Sequence, residues 1–357
     1  MTKRSFLLHL FEVVLTASTM QYAVAADLYS VRDLGASSGG SGVPHSINKR
    51  GEVVGGSGGP HGSRVTSFVW GGGKLQNLGS LRANEYSEAF AINNNQQVVG
   101  SANDLTALRA FSWTPQAGMR LLPALAGDNS TQAFAVNDKG VIAGVSGGPK
   151  GLRAVLWTAS APRNLGFLPG GQHSEAVALN AAGDAVGFSE TSAGRHAFLW
   201  TADAGMRDLG TLPGRRASAA AAINDAGQVV GSSEGESGAT AFLWSESGGM
   251  QDLGTLPGGS HSEAASINNS GSVVGSSDSS LGLRAFLWTP GGGMQDLNRL
   301  IPQNSNVVLA GATSINDAGQ IVAFGSDKHD LSHDRETQLD DALHAGPTHV
   351  FLLTPVR

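Results

Sequence analysis

Apolar and polar residues alternate along this chain in short runs, and helical periodicity is absent. The runs are rich in Val, Ile, Phe and Trp and are bounded by Gly, Ser and Asn, which marks them as strands joined by tight turns. Residues 221–253 show the pattern. Ala221-Ala222-Ile223 is an apolar run, and Asn224-Asp225-Ala226-Gly227 reads as a type I turn with Gly in the left-handed position. Val229-Val230-Gly231 returns. Ala241-Phe242-Leu243-Trp244 is a third strand, and Ser247-Gly248-Gly249 turns it into a fourth, Met250-Gln251-Asp252-Leu253. Phe242 and Trp244 share one face of the third strand and Leu243 takes the other, so the strand is expected to be covered on both sides.

The pattern repeats. An apolar residue followed by Asn occurs at Asn48, Asn93, Asn137, Asn180, Asn224, Asn268 and Asn316, with spacings of 45, 44, 43, 44, 44 and 48. Seven residues later comes Gly, at Gly55, Gly100, Gly144, Gly187, Gly231 and Gly275, with Ala323 in the seventh copy. The six tryptophans, Trp70, Trp113, Trp157, Trp200, Trp244 and Trp288, fall in the same register, and the seventh copy carries Leu353 there. Four strands in about 44 residues is the period of a β-propeller blade. The seventh copy reaches Arg357 after three strands, while Tyr29-Ser30-Val31-Arg32-Asp33-Leu34-Gly35 carries the fourth-strand pattern with no unit before it. The sequence therefore predicts an all-β, seven-bladed propeller over residues 26–357, its ring closed by the N-terminal strand completing the last blade.

Ahead of the repeats, Lys3 and Arg4 precede an apolar stretch from Phe6 to Ala17, followed by Ala23-Val24-Ala25. This predicts a signal peptide over residues 1–25 with cleavage before Ala26, a buried amphipathic helix being the other reading. Export to the periplasm or the extracellular space follows. No other stretch is long and apolar enough to span a bilayer, so the mature chain is expected to lack a transmembrane segment. The absence of Cys removes disulfides, thiolate metal sites and a Cys nucleophile. The net charge of −6 leaves no dominant basic surface, which argues against nucleic acid as a partner. With 50 Gly, only 15% charged residues and 40% hydrophobic ones, the chain suits neither a coiled coil nor a charge-driven disordered segment.

Arg195-His196-Ala197-Phe198-Leu199-Trp200 carries a His-Ala-Phe core, with close variants at Arg109-Ala110-Phe111 and Arg284-Ala285-Phe286. With Gly249-Met250-Gln251-Asp252-Leu253-Gly254-Thr255-Leu256-Pro257 and Ile223-Asn224-Asp225-Ala226-Gly227-Gln228-Val229-Val230-Gly231, these motifs resemble the HAF-type extracellular repeat family. The resemblance implies a secreted bacterial repeat protein. It transfers no activity and no catalytic residue.

Candidate chemistry therefore lies where the repeat is irregular. The Trp series reads as packing between blades and the Asn series as turn formation. Three units begin with Ser-Glu-Ala, placing Glu88, Glu175 and Glu263 at one position, and His173 and His261 precede two of them. If these strands are innermost, the five residues surround one mouth of the central channel. There they would suit a cation or a basic or hydroxylated ligand. The last unit holds an insertion over residues 326–348, in which His329, Asp330, His333 and Asp334 are candidate ligands for a divalent cation; a solvated polar loop is the other reading. No cofactor is otherwise indicated. Motifs of nucleophile elbows, zinc proteases, phosphate loops and dinucleotide sites are missing. The sequence thus favours a monomeric binding module for a protein or carbohydrate partner over an enzyme. A carboxylate-based hydrolase or lyase with its site at the channel mouth is the alternative.

Overall fold

The computed structural model describes residues 28–34, 42–58, 65–82, 85–158, 161–236, 238–327 and 349–356, and in it each repeat forms one four-stranded antiparallel sheet. The described strands of blades 1 to 7 fall within residues 42–79, 87–121, 130–164, 174–210, 217–252, 262–296, and, for blade 7, 307–327 and 349–355 together with 29–33. Blade 5 runs outward through Ala217–Ile223, Val229–Gly235, Gly238–Ser245 and Gly249–Asp252. Its first turn closes as the sequence predicts. Gly227 has φ 74° and donates its N–H to the Asn224 carbonyl at 3.0 Å. The first strand of every blade touches the first strands of both neighbours, so these seven strands wall a central channel.

Buried apolar side chains form seven clusters among the described residues, one at each junction between blades. The third strands explain why. Phe242 and Trp244 pack against Val186 and Ala197 of blade 4, while Leu243 of the same strand packs against Ile267 and Phe286 of blade 6. A strand apolar on both faces thus serves two slabs of core.

Serine fastens the junctions. The Ser218 hydroxyl, at the head of blade 5, accepts from the Ala197 N–H at 2.8 Å and donates to the Gly210 carbonyl at 2.6 Å, both in or beside blade 4. Ser87, Ser174 and Ser262 make the same two bonds to the blades before them. The Ser of the Ser-Glu-Ala motif is therefore a clasp between blades.

Each innermost strand carries a β-bulge three residues before its Asn, leaving His45, Phe90, Phe134, Val177, Ala221, Ala265 and Thr313 without a ladder partner. The bulge presses a carbonyl against the second strand. A Cβ on Gly187 would overlap the Glu175 carbonyl, which explains the recurrent Gly. In blade 7 a second bulge precedes Gly311 and the close approach falls on Gly325, so Ala323 stands where the other blades need Gly.

The seam forms in the predicted way. Tyr29–Asp33 pairs antiparallel with His349–Pro355, Arg32 lying opposite Leu352 and Asp33 opposite Phe351. Leu34 continues the ladder by donating to the Val350 carbonyl at 2.9 Å. Deleting residues 26–35 strips this outer edge and removes Arg32, which lies 5.0 Å over the Trp70 ring. The deletion is expected to lower the thermal midpoint in calorimetry, and an unchanged midpoint would contradict closure. Trp200 is 4% exposed and covered by Arg163 at 4.7 Å. Trp200→Ala is expected to destabilise by about 3–5 kcal/mol in denaturant unfolding. A fold of wild-type stability would assign the ring to something other than packing.

Candidate functional site

The channel has two unlike mouths. At the lower one, where the innermost strands end, the seven repeat asparagines are 4–7% exposed. Asn224 is typical. Its Oδ1 accepts from the N–H groups of Ala226 at 3.1 Å and Gln228 at 3.0 Å, and its Nδ2 donates to the Asn268 carbonyl of the next blade at 3.1 Å. The same link runs through Asn268, Asn316, Asn48, Asn93 and Asn137 to Asn180, giving six of seven possible links at 2.9–3.2 Å. Asn180 instead directs its amide to Asp184 at 2.9 Å. The turn-forming role expected from sequence is thus only half of what these residues do.

A second tier lies outside the first. The backbone N–H groups of Lys49, Asn94, Ala181, Asp225 and Asn269 each donate to a side-chain oxygen on the next blade, at Asn94, Asp138, Asp225, Asn269 and Asp317 respectively, over 2.8–3.0 Å. Lys49 Nζ meets Asp317 at 3.3 Å. Together the tiers frame a cavity of about 230 Å³ whose wall behind the asparagines is apolar, with Ile47, Ile92, Ile223 and Ile315 among the lining residues.

Glu88, Glu175 and Glu263 lie near the heads of three innermost strands, and His173 and His261 directly precede two of those strands. Strand alternation puts residues i and i+2 on one face. His173 Nε2 therefore lies 3.2 Å from Glu175, and His261 Nε2 lies 3.4 Å from Glu263. Glu88 is the most enclosed of the three carboxylates. His45 Nε2 stands 2.7 Å from its Oε1, and the Tyr86 hydroxyl donates to its Oε2 at 2.5 Å. Gly56 leaves room for it, since a Cβ there would come within 2.9 Å of the carboxylate. The bulge at His45 also starts an aromatic arc along the wall, with His45 edge-on to Phe90 at 5.0 Å and Phe90 against Phe134 at 5.6 Å.

His45 and Tyr86 escape a reading by motif. Superposing the copies exposes Tyr86 at the position of His173 and His261, directly before the clasping Ser. His45 has no equivalent, because it belongs to the one unit whose first strand begins Gly42-Val43-Pro44. Blades 2, 4 and 6 carry the three glutamates, so at least one whole blade separates any two of them, and each carboxylate meets its own imidazole or phenol. The described residues contain no group of three or more His, Cys, Asp or Glu placed to hold a metal ion. His329, Asp330, His333 and Asp334 lie outside the described residues, as do residues 1–25.

Burial alone would raise the Glu88 pKa. The hydrogen bonds from His45 and Tyr86, with the charge of the imidazole, outweigh it and hold the carboxyl below its usual value. Tyr86 is pushed up, first by burial and then by Glu88.

Several known proteins share this fold. A family model described as a protein of unknown function, DUF3466, matches residues 170–339. No curated protein matches the sequence. Among solved structures, virginiamycin B lyase from Staphylococcus aureus is 10% identical with a TM-score of 0.54, over 92% of this chain and 100% of that one. The propeller domain of the trilobed protease from Pyrococcus furiosus, described as having an open velcro topology, is 11% identical with a TM-score of 0.51, over 71% and 80%. A puromycin-hydrolysing peptidase from Mycobacterium tuberculosis is 15% identical with a TM-score of 0.51; the match covers 81% of this chain and 50% of the peptidase. At such identities the likeness is one of fold alone: this chain is a seven-bladed β-propeller, and the fold does not fix the chemistry. Among the described residues, no helix is long and apolar enough to cross a membrane.

A group whose folded pKa is lowered contributes stability that is present above its ordinary pKa, about 4.3 for Glu, and that is lost as pH falls through the folded value. Glu88→Gln is therefore expected to destabilise the protein at pH 7, with the difference from wild type shrinking on acidification. Urea unfolding across that range checks this; a difference that stays constant would show that the carboxylate charge contributes nothing.

Proposed function

We propose that this chain is an exported propeller of the HAF-repeat type, released from a signal peptide over residues 1–25, that works as a binding module for a protein or glycan partner. The observation that carries the reading is the way the polar groups of both mouths are engaged. Hydrolysis or elimination by carboxylates needs an acid and a base facing one ligand. Here Glu88, Glu175 and Glu263 sit on alternate blades, each against its own imidazole or phenol, and the Asn and Asp side chains of the lower mouth bond to neighbouring blades. The repeated residues are accounted for by turns, clasps and packing, which leaves the irregular positions to make contacts outward. Glu88, His173, Glu175, His261 and Glu263 rim one such surface.

The competing reading is a hydrolase or lyase with its site at the upper mouth, and the Tyr86–Glu88–His45 contact is the feature that favours it. Applying the full chain to an array of bacterial and host glycans, then chromatographing the same glycans after incubation with it, separates the two. Retention without product is expected. Product release that Glu88→Gln abolishes would replace the binding module with an enzyme.

A further inference from the structure

A link runs from the outer strand of each blade to the head of the next, and the link from blade 6 to blade 7 is unlike the others. Two residues after Leu297 stands Arg299, where the other copies carry Ala36, Ser80, Ala124, Phe167, Thr211 and Thr255. Leu297–Arg299 winds into a 3-10 turn. Asp296 caps it, accepting from the Asn298 N–H at 2.9 Å and from the Asn298 Nδ2 at 2.8 Å. Asn298 also exchanges bonds with Leu309: its Oδ1 accepts from the Leu309 N–H at 2.7 Å and its Nδ2 donates to the Leu309 carbonyl at 3.0 Å. The N–H groups of Leu28 and Tyr29 donate to the Leu300 carbonyl at 2.9 and 3.0 Å. The backbone on either side of Arg299 is thus fixed by blade 7 and by the seam strand.

The side chain of Arg299 has no such partner. It is exposed and makes no hydrogen bond, ion pair or ring contact with any described residue. It lines a recess of about 270 Å³ beside blade 6, enclosed by the link that enters the blade, its second hairpin turn, its outer strand and the link that leaves it. Leu256, Pro257, Met294 and Leu300 give this recess apolar walls. Leu281 lines it too and is 62% exposed. The hairpin turns of the same length in blades 2 to 5 hold Thr106, Lys150, Ala193 and Ser237 at that position. Two departures from the repeat, an uncovered leucine and an unpaired guanidinium, therefore meet at one recess.

The chemistry of the lining selects the ligand. A free guanidinium beside apolar walls suits a carboxylate that carries an apolar group. Asp296 also lines the recess, but no ion pair joins it to Arg299, and its Oδ1 is taken by Asn298. Ser280 and Gln295 are exposed there, and their side chains make no hydrogen bond to a described residue, so both offer a donor and an acceptor. A polypeptide C-terminus matches all three features: its carboxylate meets the guanidinium, its last side chain the apolar walls, and its last peptide group Ser280 and Gln295. A fatty acyl chain has nothing to offer Ser280 and Gln295. The volume is also below the roughly 300–1,000 Å³ of pockets for drug-sized molecules, which is room for one side chain and not for a long chain. We propose that the recess beside blade 6 captures the free C-terminus of a partner polypeptide that ends in an apolar residue, with the carboxylate on Arg299 and the last side chain against Pro257, Leu281 and Met294. The turn under Arg299 is fixed before the partner arrives, so capture orders little backbone. This rests on the binding-module reading above and gives it a partner chemistry and a place.

The test is fluorescence anisotropy of the full chain with N-terminally labelled pentapeptides ending in Leu, Val, Phe, Ser or Lys, each as the free acid and as the C-terminal amide. It is repeated on Arg299→Gln and Leu281→Ser, with calorimetry of decanoate alongside. Both side chains are exposed, so both variants are expected to keep the wild-type thermal midpoint. Acids ending in Leu, Val or Phe are expected to bind, with affinity falling tenfold or more on amidation and in Arg299→Gln, which should bind acid and amide alike. Leu281→Ser is expected to weaken the preference for an apolar last residue. Equal binding of acids and amides by the wild type, or a preference for acids that survives Arg299→Gln, would overturn this site while leaving the binding module standing. Decanoate that binds where the peptides do not would replace the polypeptide with an acyl ligand. Failure of every pentapeptide to bind would overturn the proposal, whereas the binding module itself fails only on product release from the arrayed glycans.

Discussion

A propeller must hold together seven sheets whose innermost strands each present an unpaired edge to the channel. Here that constraint is met by one side-chain amide per blade. Each repeat Asn uses its oxygen to close its own turn, and six of the seven use their nitrogen to reach the backbone of the blade alongside. The bonds are buried, so losing one would leave donors and acceptors with reduced access to water. Asp cannot replace Asn in this role, since a carboxylate keeps the acceptor and loses the donor. That requirement accounts for the amide at the six linking positions, whereas the residue after the Asn varies among Lys, Asn, Asp and Ala.

Because the Asn and Ser bonds fix the blades at one height, the third strands meet in register and the slabs of core repeat. Trp, Phe and Leu therefore recur with so little variation. The same fixed height turns any local substitution into a local change of shape at a single junction. Asymmetry in the ring arises residue by residue, as with His45, Phe90 and Phe134 along one arc of the wall against Ala221 and Ala265 along another.

The blades were legible in the sequence because their landmarks are spaced by a covalent period, and Trp, Asn and Gly each mark it independently. The closing strand was legible for the same reason, since Arg32-Asp33-Leu34 repeats the pattern of Arg207-Asp208-Leu209. What depends on neighbours across blades was not. The Ser of Ser-Glu-Ala looks like a strand cap until its bonds to Gly166 or Gly254 are seen. Ala323 reads as a lapse in the repeat, and only the second bulge beside Gly311 shows how blade 7 accommodates it.

The seam joins residues more than three hundred positions apart, as in the Ser30 hydroxyl bond to the Thr354 carbonyl. Every other blade can assemble from a stretch of chain about the length of one repeat, so those six have low contact order and blade 7 has the highest the chain allows. During synthesis the first strand waits for its partner until the last strand has emerged. Through that interval Tyr29–Asp33 and the face of blade 1 that meets blade 7 remain uncovered, and the growing arc is open to wrong pairing at both ends. Closure is therefore a single late event that converts an open arc into a ring, and it ties the integrity of the whole molecule to the arrival of its final strand.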